Sequence, residues 1–139
     1  MSLNILLIED SEVDYELFGR ILKDIPVRWV KSTKEASSYL AKISAVEFPS
    51  IIVMDLNLPA ENGIKLIYRL KIDPQFKAIP IIVLSSISDL KEIDACYEMG
   101  ANAYIEKTLK TQDIALKLNC LVDFWLKAVH LPTVKDLYD

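Results

Sequence analysis

The residues able to do chemistry in this chain stand at the ends of short apolar runs. Glu9-Asp10 follows Leu3–Ile8, Asp55 follows Ile51–Met54, Ser85-Ser86 follows Ile81–Leu84, and Glu106-Lys107 follows Ala103–Ile105. A lone acid after such a run is ordinarily a solvated turn or a helix cap. Three carboxylates, a hydroxyl and an ammonium gathered on one rim are a different matter. Clustered carboxylates repel one another and raise each other's pKa unless a cation joins them. Oxygen ligands without His or Cys suit a hard ion. Mg2+ fits best, because it uses few carboxylates, retains waters and is completed by phosphate oxygens. A lysine opposite the metal neutralises a further anion. The set reads as a site for a phosphoryl group.

Whether these residues meet depends on the elements that carry them. Five apolar runs recur: Leu3–Ile8, Val27–Val30, Ile51–Met54, Ile81–Leu84 and Ala103–Ile105. The first, third and fourth are nearly continuous in apolar character, as in strands buried on both faces of a parallel sheet. Helical segments lie between them. Glu12–Lys23 follows a cap at Ser11, Thr33–Ala45 follows Ser32, and Asn62–Ile72 is stopped by Asp73-Pro74. Asp89–Met99 ends before Gly100, a C-cap, and the last helix runs from about Thr111 to Val129, closed by Pro132. Strand and helix alternate five times. This predicts an α/β fold, a doubly wound five-stranded parallel sheet of flavodoxin-like (βα)5 type. Ligands in such open sheets bind at the carboxyl ends of the strands, which is where the candidate residues fall.

Composition removes several classes. At roughly 150 residues per domain, a chain of 139 is one domain. Apolar residues at 52% against charged residues at 26% exclude a disordered tail. The net charge is −4 and no basic run appears, so direct nucleic-acid binding is not expected. No apolar stretch approaches the ~18 residues of a membrane helix. Glu9 and Asp10 interrupt the first apolar run too early for a signal peptide, so a cytoplasmic protein is expected. Cys96 and Cys120 are not spaced as metal ligands and read as small apolar residues. His130 is the one histidine, which rules out a two-His metal site, and reads as a surface residue.

Glu9-Asp10, Asp55-Leu56-Asn57-Leu58-Pro59 with Gly63, Ser85-Ser86 and Lys107, at these spacings, resemble the receiver domain of two-component response regulators, the CheY-like fold. The resemblance covers essentially the whole chain, as a receiver domain over 1–129 and a short tail over 130–139 with no effector domain. It implies that Asp55 is the phosphoacceptor, attacking the phosphorus of a phosphohistidine on a partner sensor histidine kinase. Asp10 binds Mg2+ directly, Glu9 binds it directly or through water, and the backbone carbonyl of Asn57 joins the shell. Lys107 pairs with a phosphoryl oxygen. Ser85 matches the hydroxyl that bonds the phosphoryl group, and Tyr104 the aromatic that turns inward when that hydroxyl moves. The role is then phosphoacceptor signalling, with hydrolysis of the domain's own acyl phosphate, rather than enzymatic turnover of a substrate. Thr108 departs from the family, which usually has proline after the lysine. Asp73-Pro74 with Lys77, Ile79 and Pro80, then Phe124-Trp125-Leu126 and Leu131-Pro132, resemble small single-domain regulators paired with bacterial and cyanobacterial phytochrome kinases.

Other readings stand beside this one. A haloacid-dehalogenase-type phosphohydrolase also places an Asp nucleophile after a strand, but wants a second Asp two residues on, where this chain has Asn57. A flavodoxin-like cofactor protein needs a Ser/Thr/Gly-rich first turn, where Glu9-Asp10 would repel phosphate. A pseudo-receiver would usually lack the acidic pair, the acceptor or the lysine. Tyr104 reads alternatively as a half-exposed aromatic on an edge strand, Trp29 as core or boundary packing, and Gly63 as a backbone geometry other residues dislike. On the last helix, Ile114, Leu118, Leu121, Val122, Trp125 and Val129 form one apolar stripe, and Leu116, Cys120 and Phe124 a second. Such a wide arc exceeds what one sheet covers. It predicts a homodimer through the face of the fourth helix, fifth strand and fifth helix, with Phe124 and Trp125 as anchors, unless the tail folds back over the second stripe.

Overall fold

A computed structural model describes residues 3–58, 62–108 and 110–132. The elements are β1 (Ile5–Ile8), α1 (Glu12–Ile21), β2 (Val27–Val30), α2 (Thr33–Lys42), β3 (Ile51–Met54) and α3 (Gly63–Ile72). They continue as β4 (Ile81–Ser85), α4 (Leu90–Met99), β5 (Ala103–Glu106) and α5 (Thr111–Leu121). All strands are parallel, in the order β2-β1-β3-β4-β5. The chain leaves β1 toward one edge and returns to β3 on its other side, so the strand order reverses between β1 and β3. A crevice opens at that point in folds of this kind.

Period-two alternation divides the buried side chains between two cores. Leu6, Ile8, Ile52, Met54, Ile81 and Val83 pack with Ala36, Leu40, Leu66, Ile67 and Cys96 under α2, α3 and α4. Ile5, Leu7, Ile51, Val53, Ile82 and Leu84 pack with Phe18, Leu118, Leu121 and Leu126 on the side of α1 and α5. Each fully buried aliphatic side chain is worth roughly 1.5–3 kcal/mol of transfer free energy. The three central strands are buried along their whole length, and residues just beyond their ends are anchored by that core.

Polar residues set the helix starts. The Ser11 hydroxyl accepts from Asp14 N–H at 3.3 Å, Ser32 from Glu35 N–H at 3.0 Å, and Asn62 from Ile64 N–H at 3.0 Å. Gly100 ends α4 at φ 117°. A Cβ there would also meet Lys71 Cγ at 2.5 Å. Lys71 spans from α3 to the carbonyls of Lys77 and Ile79, at 3.2 and 2.8 Å.

Three expectations change. Gly63 has no left-handed φ; of the three glycines only Gly100 does. Gly63 is glycine because a Cβ would lie 3.2 Å from both Leu56 Cδ2 and Met54 Cε, so α3 starts hard against the end of β3. The second helix stops at Lys42, because Ile43 turns extended to pack on the core and a 3-10 turn, Ala45–Glu47, follows. The last helix changes pitch: Val122–Ala128 is π-helical. The wider turn rotates Leu126 into the core at 9% exposure and leaves Trp125 half-buried at its margin. Leu116, Cys120 and Phe124 remain exposed, as the second stripe predicted. Pro59 and the tail beyond Pro132 lie outside the described residues.

Candidate functional site

The site sits in the crevice between β1 and β3. Glu9 N–H donates to Val30 O at 3.0 Å, Asp55 N–H to Ile8 O at 2.9 Å and Lys107 N–H to Ser85 O at 2.7 Å. Glu9, Asp55 and Lys107 are therefore still held by the sheet ladder as their side chains leave it. One carboxylate oxygen from each of Glu9, Asp10 and Asp55 falls within 4.8 Å of the others. Glu9 is 2% exposed and Asp55 7%, whereas Asp10 is open to solvent.

Lys107 binds this cluster from the β5 side. Its Nζ donates to Glu9 Oε1 at 2.6 Å, Asp14 Oδ2 at 2.8 Å and Asp55 Oδ2 at 3.2 Å. An ammonium has three N–H bonds, and all three find a carboxylate. Burial works against the charge of Lys107. The hydrogen bonds to Asp14 and Glu9 and the charges of Asp55 and Glu9 outweigh it, and the proton is held above the usual lysine range. Burial pushes Glu9 up to about 7 despite its bond to Lys107, with the Asp55 charge adding to the rise. A buried carboxylate with so costly a negative charge, beside two more acids, fits a hard cation. The all-oxygen donor set fits one too.

The remaining oxygens are organised by the backbone. Asp55 Oδ1 accepts from Asn57 N–H at 2.9 Å, leaving Oδ2 toward Lys107. Glu9 Oε2 accepts from Ser11 N–H at 3.3 Å. Ser85 is fully buried at the end of β4, and its Oγ accepts from Ile87 N–H at 3.2 Å. The Tyr104 hydroxyl donates to Ile87 O, and its ring packs against the core beneath α4. Burial raises the Tyr104 pKa, and the neighbouring Ser85 hydroxyl opposes the rise.

Two residues of this site were not expected from the sequence. Asp14 lies on the first turn of α1 rather than at a strand end. Its signal was its place four residues after Asp10, one helical turn into an element whose start points at the crevice. Trp29, expected as packing, donates its indole N–H to Glu9 O. It also stacks on Tyr15 with ring centroids 4.0 Å apart, and Lys31 Nζ lies 4.9 Å from its centroid. Phe124 and Trp125 belong to the π-helical turn and not to the carboxylate cluster. They meet edge to face at 5.3 Å and, with Tyr104, Lys117 and Cys120, line a shallow groove of about 350 Å³ beside β5.

A parallel sheet of this strand order is the flavodoxin-like doubly wound arrangement, here with an acid cluster and a lysine at its carboxyl edge, and comparison with known proteins narrows it to one family. The family described as response regulator receiver domain matches residues 5–119, and the chain belongs to that family. It is 31% identical over 135 residues to response regulator Rcp1 of Synechocystis sp., covering 92% of each chain. The crystal structure of the phosphorylated cyanobacterial phytochrome response regulator RcpA superposes with a TM-score of 0.89 at 30% identity, over 96% of this chain and all of that one. The Mn2+-bound form of Rcp1 gives 0.87 at 30% identity, over 94% and 99%. No described helix is long and apolar enough to cross a membrane.

Proposed function

We propose that this response regulator takes a phosphoryl group onto Asp55 from a phosphohistidine of a partner sensor histidine kinase, with Mg2+ as cofactor. The observation that carries the reading is the meeting of Glu9, Asp10 and Asp55 within 4.8 Å, with Lys107 on Asp55 Oδ2. Asp10, Glu9 and Asp55 would hold the ion, with the Asn57 carbonyl completing the protein's share. When bound, Mg2+ supplies positive charge against the phosphoryl oxygens. The chain's own residues supply the rest. Phosphoryl transfer has a loose transition state, so positioning and charge neutralisation dominate. Asn57 N–H fixes the rotation of the Asp55 carboxylate, and Oδ2 is the nucleophilic oxygen. Lys107 exchanges a carboxylate for a phosphoryl oxygen. The Ser85 hydroxyl shifts toward the phosphoryl group, and Tyr104, already tied to the same loop through Ile87, follows it in an equilibrium present before phosphorylation. Hydrolysis of the acyl phosphate by the domain itself ends the signal.

The likeness to RcpA, a phytochrome response regulator by name, supports a phytochrome as the kinase, and the sequence supports a cytoplasmic location without membrane or nucleic-acid binding. Output passes through protein contacts. The exposed Leu116, Cys120 and Phe124 beside the half-buried Trp125 support a homodimer across the α4–β5–α5 face. The test is incubation of wild type and Asp55→Asn with acetyl phosphate and Mg2+, followed by intact mass. One added phosphoryl group on wild type alone is the expected result, and full phosphorylation of Asp55→Asn overturns the assignment. Sedimentation at micromolar concentration tests the dimer: a wild type monomeric in both phosphorylation states excludes it.

A further inference from the structure

Of the carboxylates that bind Lys107, Asp14 is the one outside the metal-competent group of Glu9, Asp10 and Asp55. We infer that Asp14 is a positioning residue of the phosphoryl-transfer site, which holds the Lys107 ammonium beside Asp55 while Glu9 and Asp55 turn their oxygens to a divalent cation. The inference rests on the function proposed above.

The ammonium and the cation compete for the same carboxylates. Glu9 Oε1 and Asp55 Oδ2 face Lys107 at 2.6 and 3.2 Å, and both residues belong to the group that can hold a cation. A carboxylate shared with a divalent ion is a poorer acceptor for an ammonium, and like charges a few ångströms apart repel. With those two partners alone, Lys107 would either contest the carboxylates with the ion or swing out on its flexible stem. Asp14 removes that choice. It offers a full negative charge 2.8 Å from Nζ, from a carboxylate outside the group that can hold the ion.

The local structure is built to keep it there. Asp14 N–H donates to the Ser11 hydroxyl, so the cap of α1 sets where this carboxylate projects. Ser11 N–H in turn donates to Glu9 Oε2. The turn bearing the metal carboxylates and the residue steadying the lysine are thus one hydrogen-bonded unit. The ordinary role for an acid here is to complement the helix dipole. Glu12 shows what that looks like: its side chain is 75% exposed and reaches only Lys31, at 4.0 Å. The Asp14 side chain is 33% exposed and accepts from a lysine whose side chain is only 10% exposed.

The test uses the full chain with Asp14→Asn and Asp14→Glu, each in the wild-type and Lys107→Met backgrounds. Mg2+ affinity is read by calorimetry, phosphorylation by acetyl phosphate is read by mass, and thermal melts confirm folding. In the wild-type background Asp14→Asn weakens Mg2+ binding roughly fivefold and Asp14→Glu restores most of it, while in Lys107→Met the same change stays within about twofold, as coupling through the lysine requires. Equal losses in both backgrounds reduce Asp14 to a bare charge and overturn the inference, as does an unchanged affinity in Asp14→Asn. Failure of wild type to take phosphate on Asp55, with the affinity cycle intact, overturns the proposed function alone. A wild type that binds no Mg2+ overturns both.

Discussion

The Tyr104 hydroxyl donates to the main-chain carbonyl of Ile87, the residue whose N–H is held by the buried Ser85 hydroxyl. One peptide segment therefore ties the end of β4 to a ring on β5. Movement of the Ser85 hydroxyl toward a ligand at Asp55 removes a bond from this segment and changes what Tyr104 can hold.

Ser85→Ala leaves Ile87 N–H without its acceptor, at a cost of about 1–3 kcal/mol. The variant should still accept a phosphoryl group at Asp55, but the NMR changes around Tyr104 on phosphorylation should shrink. Identical changes in variant and wild type would contradict the coupling.

Asp10 is the solvent-facing member of the acid cluster. In the proposed site Asp10→Asn would remove a charge from the ion's direct shell, so Mg2+ affinity should fall by roughly tenfold or more, given that even outer partners of a metal commonly cost that much. Calorimetry at constant ionic strength measures it.

Glu9 gives the metal-free protein a pH dependence. Its folded pKa of about 7 lies above the ordinary 4.5, because burial disfavours the ionised form. The folded state then binds more protons than the unfolded state across that interval, so stability contributed by protonated Glu9 is complete below 4.5 and is lost as pH rises through about 7. Melts in chelator should show this loss, and Glu9→Gln should flatten it. A melting temperature independent of pH over the interval would refute the burial argument.

The π-helical turn after α5 makes a prediction by phase. Leu126→Ala should destabilise by about 2–5 kcal/mol, as for a core leucine. Phe124→Ala, at 54% exposure, should cost the monomer far less. Urea unfolding of the pair measures it, and equal effects would mean that the turn has ordinary α pitch.

Gly100→Ala tests a position required twice over. The φ of 117° strains any side chain, and the new methyl meets Lys71 Cγ at 2.5 Å. A loss of about 1–3 kcal/mol is expected from the backbone alone, read as a lower urea midpoint at unchanged slope.

Much of this was legible because parallel strands have a strong signature. Ile51–Met54 and Ile81–Leu84 are apolar without interruption, which fixes them at the sheet centre, and the residue after each is then a site residue by topology. Asp14 escaped because the same reasoning looks only at strand ends. On a helix an acid between Val13 and Tyr15 is indistinguishable from a solvated one until the helix start is aimed at the crevice. Gly63 escaped for a similar reason: sequence shows that a side chain is missing, and only packing shows that Leu56 and Met54 fill its place. The last helix misled at its end because a 3.6-residue period was carried through a segment that has a wider turn.

The two tryptophans border the same core, on the side of α1 and α5, but make different contacts beyond it. Trp29 touches Glu9 through its indole N–H and Tyr15 through its face, whereas Trp125 borders the groove beside β5. Their emission therefore reports separate events: Trp29 sees the first carboxylate loop, and Trp125 sees the face that would meet another protein. With Trp125→Phe and Trp29→Phe in hand, a single fluorimeter could time the arrival of an ion at one end of the chain and the response at the other, and show which comes first.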